Sequence, residues 1–552
     1  MSRTTPSRLL LLVVLAVALA AAPASAGAAA PSWTASDAAP HALPPTGARS
    51  AAAGPTIGAA GWLVGARPTR TTARLARAHG ATALRLPGAY AVPTRAARPF
   101  AGALRRRGLL RWSEPNRPLT RLSAYEGGGL ETGWARGPVV AAGLTPPATF
   151  APIGVLDDVV DTAVADVAQA KVLPKSPRTA LEPGAQAEEA HGTEVASVAA
   201  ARADGSGVIG IAPGAPLLSW GFRALSCEEV VQGLLAVVDA GAKVINMSFA
   251  VLPQDEQDCH AFRLAVASAV ASDVVLVAAA GNELQAGNPI VYPAAYPHVL
   301  GVGALGLDLL PTYFSSTGSA LDLAAPGASI PVAVPPALDR DGTADGVTRA
   351  DGTSFAAPIV SGVASWLRSA RPKLTAGQYA DLLRATAKDV GDPGWDASTG
   401  FGLVDLAAAL QAPTPPVDRF EPNDGISYVN GTIFDKPDAY IWTGGAPKSL
   451  RASVDPVEDP LDVLRIRLGA RRQGKIRLTP SAGNADLRVY SGATKEVGGA
   501  PLAKSSLGAG RTDVVTVRNR TGRARTNYVA VVAPGPQPRT VDAPYPLKFA
   551  RR

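Results

Sequence analysis

Between about residues 150 and 410, short runs of mostly apolar residues, none of them charged, alternate with stretches of helical periodicity. The apolar runs lie at 153–156, 217–220, 244–248, 274–279 and 299–303, and helices are predicted between them at 227–240 and 260–271. A strand covered by helices on both faces of a sheet has no polar side, so it is apolar throughout. The pattern therefore predicts an α/β domain with a doubly wound, mostly parallel sheet.

Two smaller regions flank this domain. Residues 61–117 alternate short apolar runs with Arg-rich helical stretches at 71–79 and 95–110, which predicts a small α+β domain. Residues 411–417 are Pro-rich and indicate a stiff linker. Beyond the linker the periodicity becomes two, as in Leu464, Ile466 and Leu468, and predicts a β-sandwich over 418–552.

The N-terminus has the pattern of an export signal. Arg3 and Arg8 precede an apolar run at 9–22, and Ala24-Ser25-Ala26 then gives a small-x-small cleavage site. We expect a signal peptide at 1–26, a flexible lead-in at 27–60, and a secreted, extracellular protein. We expect no membrane span in the mature form, because no later stretch has 18 apolar residues without a charge.

Only two cysteines are present in the 552 residues. Export into an oxidising compartment makes a disulfide between Cys227 and Cys259 a candidate, and two free buried thiols are the alternative.

The formal net charge of +8 is distributed unevenly. Residues 27–121 hold 14 basic and two acidic side chains, residues 122–410 hold 15 basic and 30 acidic ones, and residues 411–552 hold 22 basic and 13 acidic ones. Because the large central region is acidic, the overall basicity does not indicate a nucleic-acid partner, and we expect none.

Three short segments of the central region place reactive groups at the ends of predicted elements. Asp157 directly follows the strand at 153–156, and His191 opens a helix of small residues. Ser354 begins an apolar helix whose Pro358 we expect in the first turn. Each residue alone is more often a helix cap or a structural group. Together they supply the nucleophile, the base and the orienting carboxylate of acyl transfer.

These segments resemble, in order, the motifs of subtilisin-family serine proteases, the subtilases. Residues 155–161 resemble the aspartate motif and residues 191–196 the histidine motif. Gly-Thr-Ser-Phe-Ala-Ala-Pro at 352–358 resembles the serine motif and is the most specific of the three. Residues 244–249 resemble the strand that pairs with the substrate backbone, and residues 279–282 the loop that carries the oxyanion-hole asparagine.

The resemblance implies a serine endopeptidase that hydrolyses peptide bonds in protein or peptide substrates through an acyl-enzyme. It assigns the catalytic roles to Asp157, His191 and Ser354, with Asn282 in the oxyanion hole. The substrate-binding residues that it implies are Ser248, Phe249, Ala250, Ala280 and Gly281.

Some positions depart from the family pattern. Asp158 and Val159 follow Asp157 where the family usually has Ser or Thr and then Gly, so a second carboxylate stands beside the first. We expect Asp157 to orient the histidine, because it ends the strand directly. Ala250 and Val291 suggest narrowed subsites and a preference for a modest apolar side chain.

The resemblance extends to the flanking regions. Residues 61–117 resemble a subtilase propeptide, which implies a zymogen that processes itself, and residues 118–410 the catalytic domain. Residues 418–552 resemble the bacterial pre-peptidase C-terminal domain. We expect a monomer that requires no cofactor and has no catalytic metal. A structural calcium ion is compatible with the acidic central domain, although no loop spacing specifies a site.

Two other readings remain open. An inactive subtilase-like protein that only binds or scaffolds is suggested by the altered residues after Asp157. Serine carboxyl peptidases also carry a Gly-Thr-Ser nucleophile, but they lack a histidine base, so His191 disfavours them.

Overall fold

The computed structural model describes most of the chain after the N-terminal region. The described residues are 62–67, 69–83, 89–115, 133–223, 225, 227–251, 260–431, 437–456, 459–481, 483–533 and 543–551. The chain divides into two compact units, Met1–Arg121 and Leu122–Arg552. The predicted signal peptide and lead-in lie outside the described residues.

The first unit is a four-stranded antiparallel sheet with two helices. Its elements are β1 (Trp62–Ala66), α1 (Arg70–Ala78), β2 (Thr82–Ala83), β3 (Ala89–Val92), α2 (Thr94–Arg105) and β4 (Leu110–Pro115). The strand order is β2-β3-β1-β4. The Thr69 hydroxyl caps α1 by accepting a hydrogen bond from the Thr72 amide at 3.0 Å. Val64, Phe100 and Leu104 are fully buried in its core.

The second unit begins with an α/β domain. Its strands are β5 (Ile153–Asp157), β6 (Ala170–Val172), β7 (Leu217–Gly221), β8 (Val244–Met247), β9 (Val275–Ala279), β10 (Val299–Leu305), β11 (Leu323–Pro326), β12 (Ile330–Ala333) and β13 (Val347–Ala350). Its helices are α3 (Gly133–Arg136), α4 (His191–Ala200), α5 (Cys227–Asp239), α6 (His260–Ala271), α7 (Thr353–Ala370), α8 (Ala376–Thr386) and α9 (Leu406–Gln411).

Seven of these strands form one parallel sheet in the order β11-β10-β9-β8-β5-β7-β6. Alternate strand residues face two different cores, since Ile153 and Val155 pack with α4 and α7, whereas Leu156 packs with α5 and α6. This burial on both sides explains why the strand residues are mostly apolar and carry no charge before Asp157. The chain order reverses at β5, so the crevice beyond its carboxyl end is the expected place for a site.

The C-terminal region of the second unit is a β-sandwich. It comprises α10 (Ile426–Val429), β14 (Lys448–Val454), β15 (Leu461–Leu468), β16 (Gln473–Leu478), β17 (Asp486–Ser491), β18 (Ala503–Ser505), β19 (Asp513–Arg518), β20 (Arg525–Val532) and β21 (Ala543–Arg551). One sheet has the order β14-β21-β16-β19 and the other β15-β20-β17-β18. Alternating side chains such as Ile476, Leu487 and Leu547 fill the core between them.

The predicted fold class is confirmed: a mostly parallel doubly wound sheet is joined to an antiparallel sandwich. The position of Pro358 is a correction. It is the sixth residue of α7 and therefore lies in the second turn, not the first. Within the described residues, no helix is both long and apolar enough to cross a membrane.

Candidate active site

Asp157 and His191 meet at the carboxyl end of β5. Asp157 ends the strand, and its Oδ1 lies 2.6 Å from Nδ1 of His191, the first residue of α4. The same oxygen accepts a hydrogen bond from the Asp158 amide at 2.8 Å. The carboxylate is 4% exposed, so it is held in place by two donors with little access to water. This arrangement fixes the face and the tautomer that the imidazole presents.

Gly192 explains how the two elements come so close. A Cβ on Gly192 would lie 1.9 Å from the carbonyl oxygen of Asp158, a distance that no side chain tolerates. Because glycine has no side chain, the first turn of α4 can rest directly on the backbone that follows β5. The His-Gly pair in the sequence is therefore a packing requirement as well as a chemical one.

The electrostatics of this corner favour a protonated imidazole. Burial by itself lowers the pKa of His191, but the charge and hydrogen bond of Asp157, with smaller contributions from Glu194 and Asp158, raise the pKa to about 9. An imidazole next to a fixed carboxylate is a strong base for its kind, since the carboxylate stabilises the imidazolium.

Asp158 lies near Arg178, whereas Asp157 is hydrogen-bonded to His191. It lies 3.9 Å from the guanidinium of Arg178, which in turn is bonded to Glu189. Burial and the neighbouring Asp157 charge raise the pKa of Asp158. Of the two carboxylates, the one hydrogen-bonded to the imidazole is Asp157.

Ser354 is the second residue of α7, and it forms a reciprocal pair with Ser248. The Ser354 hydroxyl donates to the Ser248 carbonyl at 3.2 Å, and the Ser248 hydroxyl donates to the Ser354 carbonyl at 2.7 Å. Pro358 makes the second bond possible: it has no N–H, so the carbonyl four residues earlier, that of Ser354, lacks a helical donor. The imidazole of His191 packs edge-on against Phe355, with 5.6 Å between ring centroids.

Asn282 lies beside the start of α7. Its Oδ1 accepts hydrogen bonds from both the amide and the hydroxyl of Thr353, each at 2.9 Å. With the carbonyl oxygen of the side chain engaged twice, the Nδ2 amide remains as a donor next to Gly352 and Ser354. The Nδ2 atom of Asn282 and the backbone nitrogen of Ser354 lie close together, since a Cβ on Gly352 would stand 3.5 Å from the first and 3.6 Å from the second.

The predicted substrate-binding residues lie at the ends of β8 and β9. Ser248, Phe249 and Ala250 follow β8 directly, and the Phe249 ring packs against Phe222 and Phe262.

Ala280 and Gly281 follow β9. Gly281 has φ +104° and donates its amide to the Thr353 hydroxyl at 3.2 Å. Residues with a side chain rarely adopt this positive φ, so the turn favours glycine.

The disulfide prediction cannot be followed in this structure. Cys259 lies outside the described residues, and only the backbone of Cys227, the first residue of α5, is described.

A group of carboxylates lies where the sandwich meets the α/β domain. Asp418, Glu421 and Asp462 place ligand oxygens within 4.8 Å of one another. Asp462 is fully buried, and burial together with the Glu421 charge raises its pKa well above the usual value. Its Oδ1 and Glu421 Oε1 are buried without a hydrogen-bond partner in the described part of the chain. An all-oxygen set with unpartnered buried oxygens fits a calcium ion.

The adjoining cluster shares Glu421. His298 Nε2 lies 3.1 Å from Asp424 Oδ1 and 3.3 Å from Glu421 Oε2, and Asp459 completes a second group of possible ligands. The α/β domain and the sandwich thus contact each other through charged groups.

Sequence reasoning missed several residues that shape the site. Thr353 positions both Asn282 and Gly281, and buried Glu194 is paired with Arg340 at 2.6 Å near His191. Thr353 lies inside the serine motif, so the motif itself could have pointed to it. The Glu194–Arg340 contact joins residues 146 positions apart and leaves no local signal.

Comparisons with known proteins identify the family of the α/β domain. The Subtilase family profile matches residues 151–402. Fervidolysin of Fervidobacterium pennivorans is 36% identical over 248 residues, which cover 41% of this chain and 35% of that protein. Subtilisin DY of Bacillus licheniformis is 35% identical over 229 residues, which cover 40% of this chain and 77% of that protein. The match thus spans about a third of fervidolysin and about three quarters of subtilisin DY.

Among solved structures, that of fervidolysin aligns with 83% of this chain and 85% of its own, at 19% identity and a TM-score of 0.42.

The parallel sheet and the groups at its carboxyl edge define a subtilisin-like serine protease domain. The chain belongs to the subtilase family.

Proposed function

We propose that this chain is a secreted serine endopeptidase, made as a precursor that processes itself. The observation that supports this most strongly is the 2.6 Å contact between Asp157 and His191 at the carboxyl edge of the sheet, together with the position of Ser354 in the first turn of α7. A carboxylate, an imidazole and a hydroxyl in that order are the components of nucleophilic acyl transfer.

In the proposed reaction, the hydrogen bond to Asp157 keeps the proton on Nδ1 of His191, so that Nε2 is the base. The Ser354 hydroxyl rotates from the Ser248 carbonyl towards Nε2 when substrate binds. Its proton passes to Nε2 as Oγ attacks the peptide carbonyl carbon. The imidazolium then protonates the departing amine, and water hydrolyses the acyl-enzyme by the same route.

The negative oxygen of the tetrahedral intermediate is stabilised by two donors in this proposal. They are Nδ2 of Asn282, whose orientation Thr353 fixes, and the backbone amide of Ser354. The amino end of α7 adds a positive helix dipole at the same place. Because Thr353 fixes Asn282 before substrate arrives, the donors need little reorganisation in the transition state.

We propose that the segments after β8 and β9 bind the substrate. We place the substrate backbone between Ser248–Ala250 and Ala280–Gly281, with preference for a modest apolar side chain next to the cleaved bond. Protein and peptide chains are the proposed substrates.

The flanking regions complete the proposal. Residues 61–117 act as a propeptide whose basic charge attracts the acidic catalytic domain, and the maturation cut falls between about residues 115 and 150. Raising the salt concentration should weaken the docking of that segment, because the attraction is electrostatic.

Calcium enters the proposal as a structural ion. Asp418, Glu421 and Asp462 would hold it through their carboxylate oxygens, and the ion would neutralise the buried negative charge of that group. It takes no part in the catalytic steps.

The test compares the intact masses of the full-length chain, its Ser354→Ala variant and a Ser369→Ala control after expression with export. Ser369 lies near the far end of α7 and is hydrogen-bonded only to its own helix among the described residues. We expect the parent and the control to lose the N-terminal region and the Ser354→Ala variant to retain residues 61–117. Retention of residues 61–117 by all three forms, together with no peptide hydrolysis, would favour the inactive binding protein instead.

A further inference from the structure

The two outer faces of the sandwich differ in what covers them. The outer face of the sheet β15-β20-β17-β18 packs under α10, where Ile426 and Val429 contact Val463 and Tyr490. On that face Arg488 lies 3.6 Å from the Asp486 carboxylate, and the Arg465 guanidinium lies over the Tyr440 ring.

The outer face of the other sheet carries a row of cations. Strand alternation directs five basic side chains outward, because their neighbours Leu450, Ile476, Val517 and Leu547 fill the core. The five are Arg451 on β14, Lys548 on β21, Lys475 and Arg477 on β16, and Arg518 on β19. All are exposed except Lys475, which is half-buried.

The strand register places these cations along a diagonal. Arg477 pairs directly with Lys548, Lys548 lies two residues along β21 from Pro546, and Pro546 pairs with Arg451. In the other direction, Lys475 pairs with Thr516, two residues from Arg518. With about 4.8 Å between strands and about 6.8 Å for every two residues, the row crosses all four strands and is about 25 Å long.

Positions beside the diagonal are small or neutral. Ser449, Gln473, Ala550, Pro546 and Thr516 flank it, and the outward positions of these four strands, as far as the structure describes them, include no acidic residue. Two cations directly opposite each other on adjacent strands repel, so this row costs stability unless anions lie across it.

We propose that this row, the cation diagonal of Arg451, Lys475, Arg477, Arg518 and Lys548, binds a linear acidic polysaccharide through its carboxylates. A single row fits a linear polymer better than a membrane plane, which would meet charge spread over the whole face. The hydroxyl and amide groups of Ser449, Gln473 and Thr516 can bond to sugar hydroxyls. The described outward positions offer no aromatic ring on which a nucleobase could stack.

The test measures binding of polygalacturonate to the full-length Ser354→Ala chain, which cannot cleave itself under the proposed function. The diagonal variant is Lys475→Gln, Arg477→Gln and Lys548→Gln together. The matched control, Lys495→Gln, Lys504→Gln and Arg523→Gln, removes the same charge from exposed positions outside this sheet. A second variant, Arg477→Glu alone, tests the centre of the row with one exposed substitution.

We expect the diagonal variant to lose at least about 10-fold in affinity and the control to change by less than about 2-fold. The slope of log affinity against log salt should also fall by about two for the diagonal variant, since contacts to a polyanion release counterions. Equal losses in both triple variants would show that only net charge matters and would overturn the proposal. So would tighter binding to oligothymidylate or to vesicles containing phosphatidylglycerol than to polygalacturonate. Because Ser354 is absent throughout, these outcomes are independent of the proposed catalysis.

Discussion

The carboxyl edge of the parallel sheet and the outer face of the sandwich place polar groups in different ways. At the sheet edge, Asp157, His191 and Ser354 come from distant parts of the chain, yet each stands in a short motif at the end of its own element. On the sandwich, the cations of the diagonal stand one or two per strand and become a row only through the strand register. Reactive residues at the ends of strands and helices are therefore visible in the sequence as motifs. A row of cations across a sheet face is not, because it depends on the strand register.

The strongest test of the proposed active site at the carboxyl edge of the sheet is to remove its proposed oxyanion donor. Asn282→Ala should lower kcat by about 100- to 1000-fold with little change in KM, because the donor acts mainly in the transition state. The measurement is steady-state hydrolysis of a peptide substrate by the mature enzyme. An unchanged kcat would remove Asn282 from the site. Asn288→Gly serves as the control, because the Asn288 side chain bonds to Thr317 among the described residues and glycine readily adopts its φ of +48°.

The second prediction concerns the close approach at Gly192. In Gly192→Ala the new Cβ would lie 1.9 Å from the Asp158 carbonyl, so α4 must move and His191 with it. We expect kcat/KM to fall by about 100-fold, since a displacement near 1 Å disturbs the reacting geometry that strongly.

Gly377→Ala is the matched control for this substitution, because its Cβ meets nothing within 4 Å. If Gly192→Ala and Gly377→Ala have equal activity, then catalysis does not depend on the close contact between α4 and the backbone after β5.

The third prediction concerns the cluster of Asp418, Glu421 and Asp462, where we propose a calcium ion. Removing calcium with a chelator should lower the melting temperature by about 5 °C, because the ion stabilises only the folded state. Asp462→Asn should abolish this difference, and Glu496→Gln, an exposed change in the same domain, should not. A melting temperature that is the same with and without calcium in the parent protein would contradict the calcium proposal.

The smallest expected effect is a shift in pH dependence. His191 must be neutral to act as a base, so kcat/KM should rise with pH to a midpoint at about 9, matching its raised pKa. In Glu194→Gln this midpoint should move to lower pH by less than about one unit, because a nearby negative charge is lost. Glu188→Gln is the exposed control. A midpoint that stays in place in Glu194→Gln would show that Glu194 has no electrostatic effect on His191.

Much of the fold could be predicted because burial on both sides leaves a clear pattern. The five apolar runs correspond to β5, β7, β8, β9 and β10, and the helix at 260–271 corresponds to α6. The short strand β6 was not predicted, because three residues are too few to show a period. The hairpin strands β12 and β13 were also missed, since Pro331 interrupts the apolar pattern of the first, and Thr348 and Arg349 that of the second.

The site was predictable to the extent that its residues stand in contiguous motifs. The motifs contain Asp157, His191, Ser248 and Ser354. The spacing of these residues in the sequence does not predict the 2.6 Å contact between Asp157 and His191 or the reciprocal bonds of Ser248 and Ser354. The cluster of Asp418, Glu421 and Asp462 was not predicted, because Asp462 is 41 positions from Glu421 in the chain. Contacts of that range depend on the packing of whole domains.

The most direct test of the central claim is covalent labelling by a fluorophosphonate, followed by peptide mass mapping. Fluorophosphonates react with a serine whose hydroxyl is activated by a neighbouring base, so we expect one label per mature chain, on Ser354. The label should be lost in Ser354→Ala and in His191→Ala. A folded parent protein that takes up no label, or that takes it up equally without His191, would contradict the account.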